Sequence, residues 1–261
     1  IQEQIEALKS RHLESPEIKL IQNCTNFGFT KSCNQAFDYS LINYFDETVL
    51  INQDILFQED TILKILQARK TIKNKNTILS PLQMDENLKY DFKSKKNLIR
   101  MFDKNENILE VDFVNAACWF ISNNVIKKLG AMNEVFNHFG SDDEYVYRLK
   151  KISGKIYIVY DAKIIHLRSF YKKNFDKKYS DMQMISSIIA NAYLKIIIEK
   201  RLFIAFVLLI LKPFVFLMIR KISLKNFFEI IKYKNIKTLI KLYKDKNNLF
   251  INSKWIQQLD A

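Results

Sequence analysis

The run TVLI at residues 48–51 constrains this chain most: it is a compact apolar stretch held between Asp46 and the polar triplet Asn52-Gln53-Asp54. Four residues are too few for a core helix, and the run predicts a strand buried in a parallel sheet. Short apolar or alternating runs recur at 17–22 (EIKLIQ), 76–80, 111–114, 117–121, 155–159 and 163–166. Between them, residues 30–43, 61–70, 124–129 and 145–151 have helical spacing, and a short amphipathic helix is expected over 1–11. Gly130 is a helix stop, Pro81 closes the strand before it, and 84–107 reads as a polar, Lys-rich loop. Strands alternating with helices indicate an α/β sheet, in which ligands gather at the carboxyl ends of strands. Asp54 and His166 both follow such ends.

With 261 residues, 48% of them hydrophobic, the chain has ample material for a core. Its net charge of +13 is unevenly placed. Residues 1–167 carry 22 Lys and Arg against 22 Asp and Glu, while 168–261 carry 19 against 6. Two regions are expected, an α/β domain over 1–169 and a basic helical region over 170–261. In the second, 182–200 has helical spacing, and the 18 residues of 202–219 are apolar apart from Lys212-Pro213. That length is at the lower limit for a span, and a central Lys and Pro favour a re-entrant or interfacial hairpin. Residues 224–243 form a basic amphipathic pattern, with Phe227, Phe228, Ile231 and Ile240 against Lys234, Lys237, Lys241 and Lys244. Such a helix suits an anionic membrane surface, or else packs on the domain. Cys24, Cys33 and Cys118 form no CxxC pair, which fits a reducing compartment.

Three successive carboxylates, Asp142, Asp143 and Glu144, follow Ser141 and an aromatic turn at 136–140. Like charges side by side repel, and are tolerated at a surface, at a helix start, around a cation, or where one carboxylate must be ready to take a proton. Taken alone, the triplet reads as a capped helix start whose acids complement the macrodipole.

Five segments in order change this picture. They are Asn23-Cys24-Thr25-Asn26-Phe27-Gly28-Phe29 with Cys33-Asn34-Gln35; Leu50-Ile51-Asn52-Gln53-Asp54; Val114-Asn115-Ala116-Ala117-Cys118-Trp119-Phe120-Ile121; Phe139-Gly140-Ser141-Asp142-Asp143-Glu144 through Arg148; and Asp161 through His166. Together, over 17–169, they resemble family 2 glycosyltransferases with the GT-A fold, a Rossmann-like mixed sheet flanked by helices. The 115–119 segment is most similar to rhamnosyltransferase-like members.

The resemblance implies an inverting, metal-dependent transfer of a sugar from a nucleotide-diphosphate donor to a glycan or lipid-linked acceptor at the cytoplasmic face of the membrane. Asp54 matches the last acid of the family's DxD-type motif and, with His166, would hold Mn²⁺ or Mg²⁺. Asn52 stands where the first Asp usually is and would bond the nucleotide ribose. Asn26, Gly28 and Asn34 match donor-pocket positions, and Ala117, Cys118 and Trp119 match the acceptor side, with Trp119 as a stacking face for a sugar ring. Asp142 matches the general base, with Asp143 as its rival should the register slip by one. Glu144 matches the family's supporting acid, and Ser141 replaces its Glu. The family's opening strand-helix-strand, with the acid that grips the base and ribose, is expected before Ile1. A catalytically impaired remnant that binds a membrane surface is the alternative. Nucleic-acid binding ranks last, because the basic residues accompany an apolar segment and not a soluble aromatic groove.

Overall fold

A computed structural model describes residues 21–90, 107–136, 139–167, 177–219, 221–245 and 251, with backbone alone at 177–180. The helix expected over 1–11, nearly all of the strand expected over 17–22, and most of the 84–107 loop lie outside these residues.

The first region is a mixed sheet between helices. Its elements are α1 (Gly28–Ile42), β1 (Glu47–Ile51), β2 (Ile55–Phe57), α2 (Thr61–Thr71), β3 (Thr77–Asp85), β4 (Ile108–Val111), β5 (Cys118–Ser122), α3 (Asn123–Leu129), α4 (Ser141–Lys151) and β6 (Lys155–His166). The strand order is β1-β5-β3-β6-β2, with β4 also on β6. The β3–β6 pair is parallel and every other pair is antiparallel. One face packs on α1, α3 and α4 through Phe37, Trp119, Val125, Tyr145 and Leu149. The other packs on α2 through Ile65, Phe120, Val159 and Ile164. The α/β expectation therefore holds, as a mixed sheet flanked by helices.

Several local expectations are corrected. The 48–51 run is a strand, yet its one partner among the described residues is the antiparallel β5, and Val49 and Ile51 are exposed. Apolar composition reports burial only when both faces are covered, and here one is not. Pro81 does not end its strand, because the β3–β6 register shifts just after it, where a missing N–H is tolerated. The strand expected at 111–114 ends at Val111, since Asn115 accepts the Ala117 N–H in a side-chain turn. Residues 155–166 form one strand and not two. The shift leaves 160–162 without partners on β3 and divides the outer edge of β6 between β4 and β2.

The second region comprises α5 (Lys177–Glu199), α6 (Leu202–Phe206), a π-helical turn (Val207–Leu211), α7 (Lys212–Met218), α8 (Leu224–Ile230) and α9 (Tyr233–Lys244). Ile188, Tyr193, Ile196, Leu209 and Ile230 make its core, which Phe136 from the first region joins. The amphipathic pattern at 224–243 divides into α8 and α9, and α9 buries Leu239 there with Ile236 and Leu242 beside it. Part of the pattern's apolar surface is taken up by this packing, while Phe228, Tyr233, Ile240 and Tyr243 stay exposed. Among the described residues no helix is long and apolar enough to cross a membrane.

A buried ion pair joins the layers around α4. Arg148 is 2% exposed and grips both oxygens of Glu144 through the Nε–Nη2 edge of its guanidinium, at 2.8 and 3.0 Å. It also donates to the carbonyls of Leu129, at 2.7 Å, and Ala131, at 2.8 Å, which closes the C-terminal end of α3. Removing one partner strands the other charge in the core. Arg148→Met is expected to cost about 3 to 5 kcal/mol in urea unfolding, with part recovered on adding Glu144→Gln.

Candidate functional site

Residues 52–54 carry the chain from β1, at one end of the strand order, to β2, at the other. Asp54 is thereby brought to the carboxyl end of β6. The antiparallel pairing sets Ile55 opposite His166, and the Leu167 N–H donates to the Asp54 carbonyl at 2.9 Å. The side chains then meet, with His166 Nε2 3.2 Å from Asp54 Oδ2. His166 is buried and Asp54 half-buried.

The acidic triplet opens α4 behind Gly140, whose φ of +87° suits a residue without Cβ. A Cβ there would lie 2.9 Å from the Phe136 ring and 3.3 Å from Ala190 of α5. The three acids then diverge in role. Glu144 turns inward to Arg148 and is 2% exposed, so it steadies the helix from inside the core and does not reach a cleft. Asp142 stays half-buried at the helix start. Its carboxylate accepts the Asp143 N–H at 3.0 Å, and the backbone amides of Asp143, Asp142 and Ala116 all favour its charged form. Burial, and then the charge of Asp143, push its pKa from the ordinary 3.8 up to about 6, against the pull of those amides. Asp143 is half-buried beside it. A carboxylate poised near 6 is ionised at neutral pH and is still basic enough to take a proton.

The turn at 115–117 connects the two acidic positions. The Asn52 N–H donates to the Ala117 carbonyl at 2.9 Å, while the neighbouring Ala116 amide favours the charged form of Asp142. Gln83, 1% exposed on β3, steadies the same turn by donating to the Asn115 carbonyl at 3.3 Å. Ala116 and Gln83 escape sequence reasoning, because one acts through its backbone and the other through a long-range contact. The Asn at 115, a turn-forming residue between two apolar runs, was the available signal.

Other expected site residues lie elsewhere. Ala117, Cys118 and Trp119 are buried in the sheet core. Trp119 donates its indole N–H to the Val114 carbonyl at 3.2 Å and packs on Tyr145, so it presents no face to a sugar. Burial pushes the Cys118 thiol up to about 12. Asn34 is fully buried, donating to the Met132 carbonyl at 3.0 Å and accepting the Met132 N–H at 2.7 Å. With Thr30, which donates to the Phe136 carbonyl at 2.6 Å, it clamps the loop that leads to the triplet. Asn26 is exposed and accepts the Gly28 N–H at 2.9 Å, which shapes the turn before α1, where Gly28 has φ +77°. Asn52 is half-buried beside the turn.

Among the described residues no group of three or more His, Cys, Asp and Glu side chains is placed to hold a metal. The Asp54–His166 pair supplies two ligands of suitable type. Adjacent octahedral ligands at about 2.1 Å from an ion stand about 3.0 Å apart, close to the spacing of this pair. Ions of the Mg²⁺ class commonly take few protein ligands and complete their shell with phosphate and water. The donor set fits such an ion.

No protein-family profile matches the sequence, and no curated protein matches it. Among solved structures, the chain is similar in fold to that of GalNAc-T7 with UDP, GalNAc and Mn²⁺, at 12% identity and a TM-score of 0.46. The match covers 64% of this chain and 34% of that one, so this chain spans about a third of that protein's length.

The raised Asp142 sets a pH dependence with a definite sign. The folded state binds this proton more tightly than the unfolded state, so its contribution to stability is present below about 4 and is lost as pH rises to about 6. Asp142→Asn removes the ionisable group. The melting temperature of the variant relative to the wild type is expected to climb between pH 4 and about 6 and level off above. A difference that stays flat across this range would contradict the assignment.

Proposed function

We propose that this protein is an inverting glycosyltransferase that uses a nucleotide-diphosphate sugar and a divalent cation. The observation that carries this is the shared turn: the Asn52 N–H, two residues before Asp54, bonds the Ala117 carbonyl, and the neighbouring Ala116 amide acts on the Asp142 carboxylate. The sequence resemblance to family 2 enzymes supports the same chemistry.

Asp54 and His166 would hold Mn²⁺ or Mg²⁺. When bound, the ion supplies Lewis-acid neutralisation of the diphosphate that leaves the sugar. Asp142 accepts the proton of the acceptor hydroxyl, and the hydroxyl oxygen forms the new bond to the anomeric carbon as the bond to diphosphate breaks. Attack from the side opposite the leaving group inverts that centre. The Asp143 and Ala116 amides keep Asp142 oriented. Asn52 and Asn26 contribute to the donor side, and Gly28 lets the backbone approach it. Rhamnose is the sugar suggested by the similarity at 115–119, and a lipid-linked or surface-polysaccharide glycan at the cytoplasmic membrane face is the acceptor. The acceptor side would be formed by the surface over 115–117 and the start of α4, not by the Trp119 ring.

Turnover of nucleotide sugars with and without Mn²⁺ or Mg²⁺ provides the test. Asp142→Asn is expected to lower the rate about 10²- to 10⁴-fold while donor binding persists. In the wild type the rate should rise as pH passes about 6. Asp54→Asn and His166→Gln should raise the metal concentration needed for half-maximal rate. Turnover indifferent to metal and to all three substitutions would exclude the proposal.

A further inference from the structure

The segment from α6 through α7 is apolar on two sides. Its inner side buries Ala205, Leu209 and Pro213 in the helical core. Its outer side carries a second stripe, with Phe203 79%, Leu211 54%, Phe214 49%, Val215 53% and Met218 68% exposed. A helix apolar all round normally has partners all round, and an exposed apolar strip of this extent marks an interaction surface. Within the π-helical turn Leu211 alone is exposed, and the stripe runs on from it through Phe214, Val215 and Met218.

Charge identifies the occupant. From Lys200 to Phe228 the sequence has six cationic residues and no acidic one. Lys212 and Lys221 both lie over the Phe216 ring, at 5.6 Å from its centroid, which keeps cations at the border of the stripe. A second copy of the chain would bring the same positive border against this one, at a repulsive cost. An anionic bilayer offers opposite charge at the rim and hydrocarbon below it. Insertion across the bilayer is opposed by the inner side, which is held in the helical core, and by segment length.

We infer that the outer face of α6–α7 docks this protein on an anionic lipid surface, with the helix parallel to the membrane plane. Phe203, Phe214 and Met218 enter the acyl boundary, and Lys212, Lys221 and Lys225 meet lipid phosphates. Phe136, just before α4, packs edge-on against Tyr193 of α5 with ring centroids 6.3 Å apart, so docking would hold the Asp142 region at a set position relative to the lipid. The inference deepens the membrane-side acceptor proposed above and rests on it only for its biological purpose.

Vesicle sedimentation with the full chain tests it without any sugar transfer, so loss of this inference and loss of the glycosyltransferase proposal are separate results. Phosphatidylcholine vesicles with about a third phosphatidylglycerol should bind the protein, pure phosphatidylcholine should bind it less, and added salt should weaken binding. The variant Phe203→Ser/Phe214→Ser/Met218→Ser should bind at least about 10-fold less. Because that variant could misfold, Phe203→Trp serves as a second probe, with a blue-shifted emission expected on adding anionic vesicles. Unimpaired vesicle binding by the triple variant, or an unshifted Phe203→Trp spectrum, would overturn the inference. So would a dimer in sedimentation velocity that the triple substitution abolishes, because the occupant would then be a second copy.

Discussion

The buried guanidinium of Arg148 is the interaction on which the arrangement of this protein depends. A fully buried cation is tolerated only with its donors satisfied, and Arg148 meets that demand with the Glu144 carboxylate and two carbonyls, and it also lies over the Tyr145 ring. Those partners belong to the start of α4, the last residue of α3 and the loop after it. One side chain therefore sets the angle of the helix that carries Asp142. The Leu129 carbonyl also accepts the Ile251 N–H, which brings a residue near the end of the chain to the same junction.

The three adjacent carboxylates show how position within one helical turn separates identical chemistry into unlike roles. Glu144 points toward α3 and becomes half of the ion pair. Asp142, two positions earlier, remains at the mouth of the helix, where two amides orient it and burial raises its proton affinity. The opposing terms matter physically. Amides alone would make the carboxylate a weak base, and burial alone would leave it unsatisfied. The result is a group near 6 that is oriented as well as basic. The same logic places Asp54, whose position comes from the crossing of the sheet end by 52–54 and from strand pairing at His166.

Much of the fold was legible along the chain. Apolar runs at 48–51, 76–80 and 117–121 became strands, those at 155–159 and 163–166 joined into one, and helical spacing at 30–43, 61–70, 124–129 and 145–151 became α1 to α4 within a few residues. Their failures have physical causes. Pro81 and the 160–162 irregularity were misplaced because a strand's tolerance of interruption depends on its neighbour's register. The resemblance implies a sugar-stacking Trp119, but an aromatic residue in an apolar run suits the sheet core equally well, and Trp119 is buried there. Asn34 matched a donor-pocket position, yet its partners are nearly a hundred residues away on the α3–α4 loop. The amphipathic pattern at 224–243 signalled a face that needs cover, but not what would cover it.

The sequence by itself determined the alternation of elements, the concentration of positive charge in the last third, and the residue types at Asp54, Asp142 and His166, since these follow from periodicity, composition and local chemistry. Tertiary structure decided which of those residues share a site. The Asp54–His166 contact needs β2 laid against β6, and the raised Asp142 needs the burial that packing around the start of α4 provides. Tertiary packing also decided that α9 turns Leu239 inward while α6–α7 leaves an apolar side outside. Burial, proton affinity and exposure belong to the surroundings of a side chain, and those surroundings exist only once distant segments have packed together.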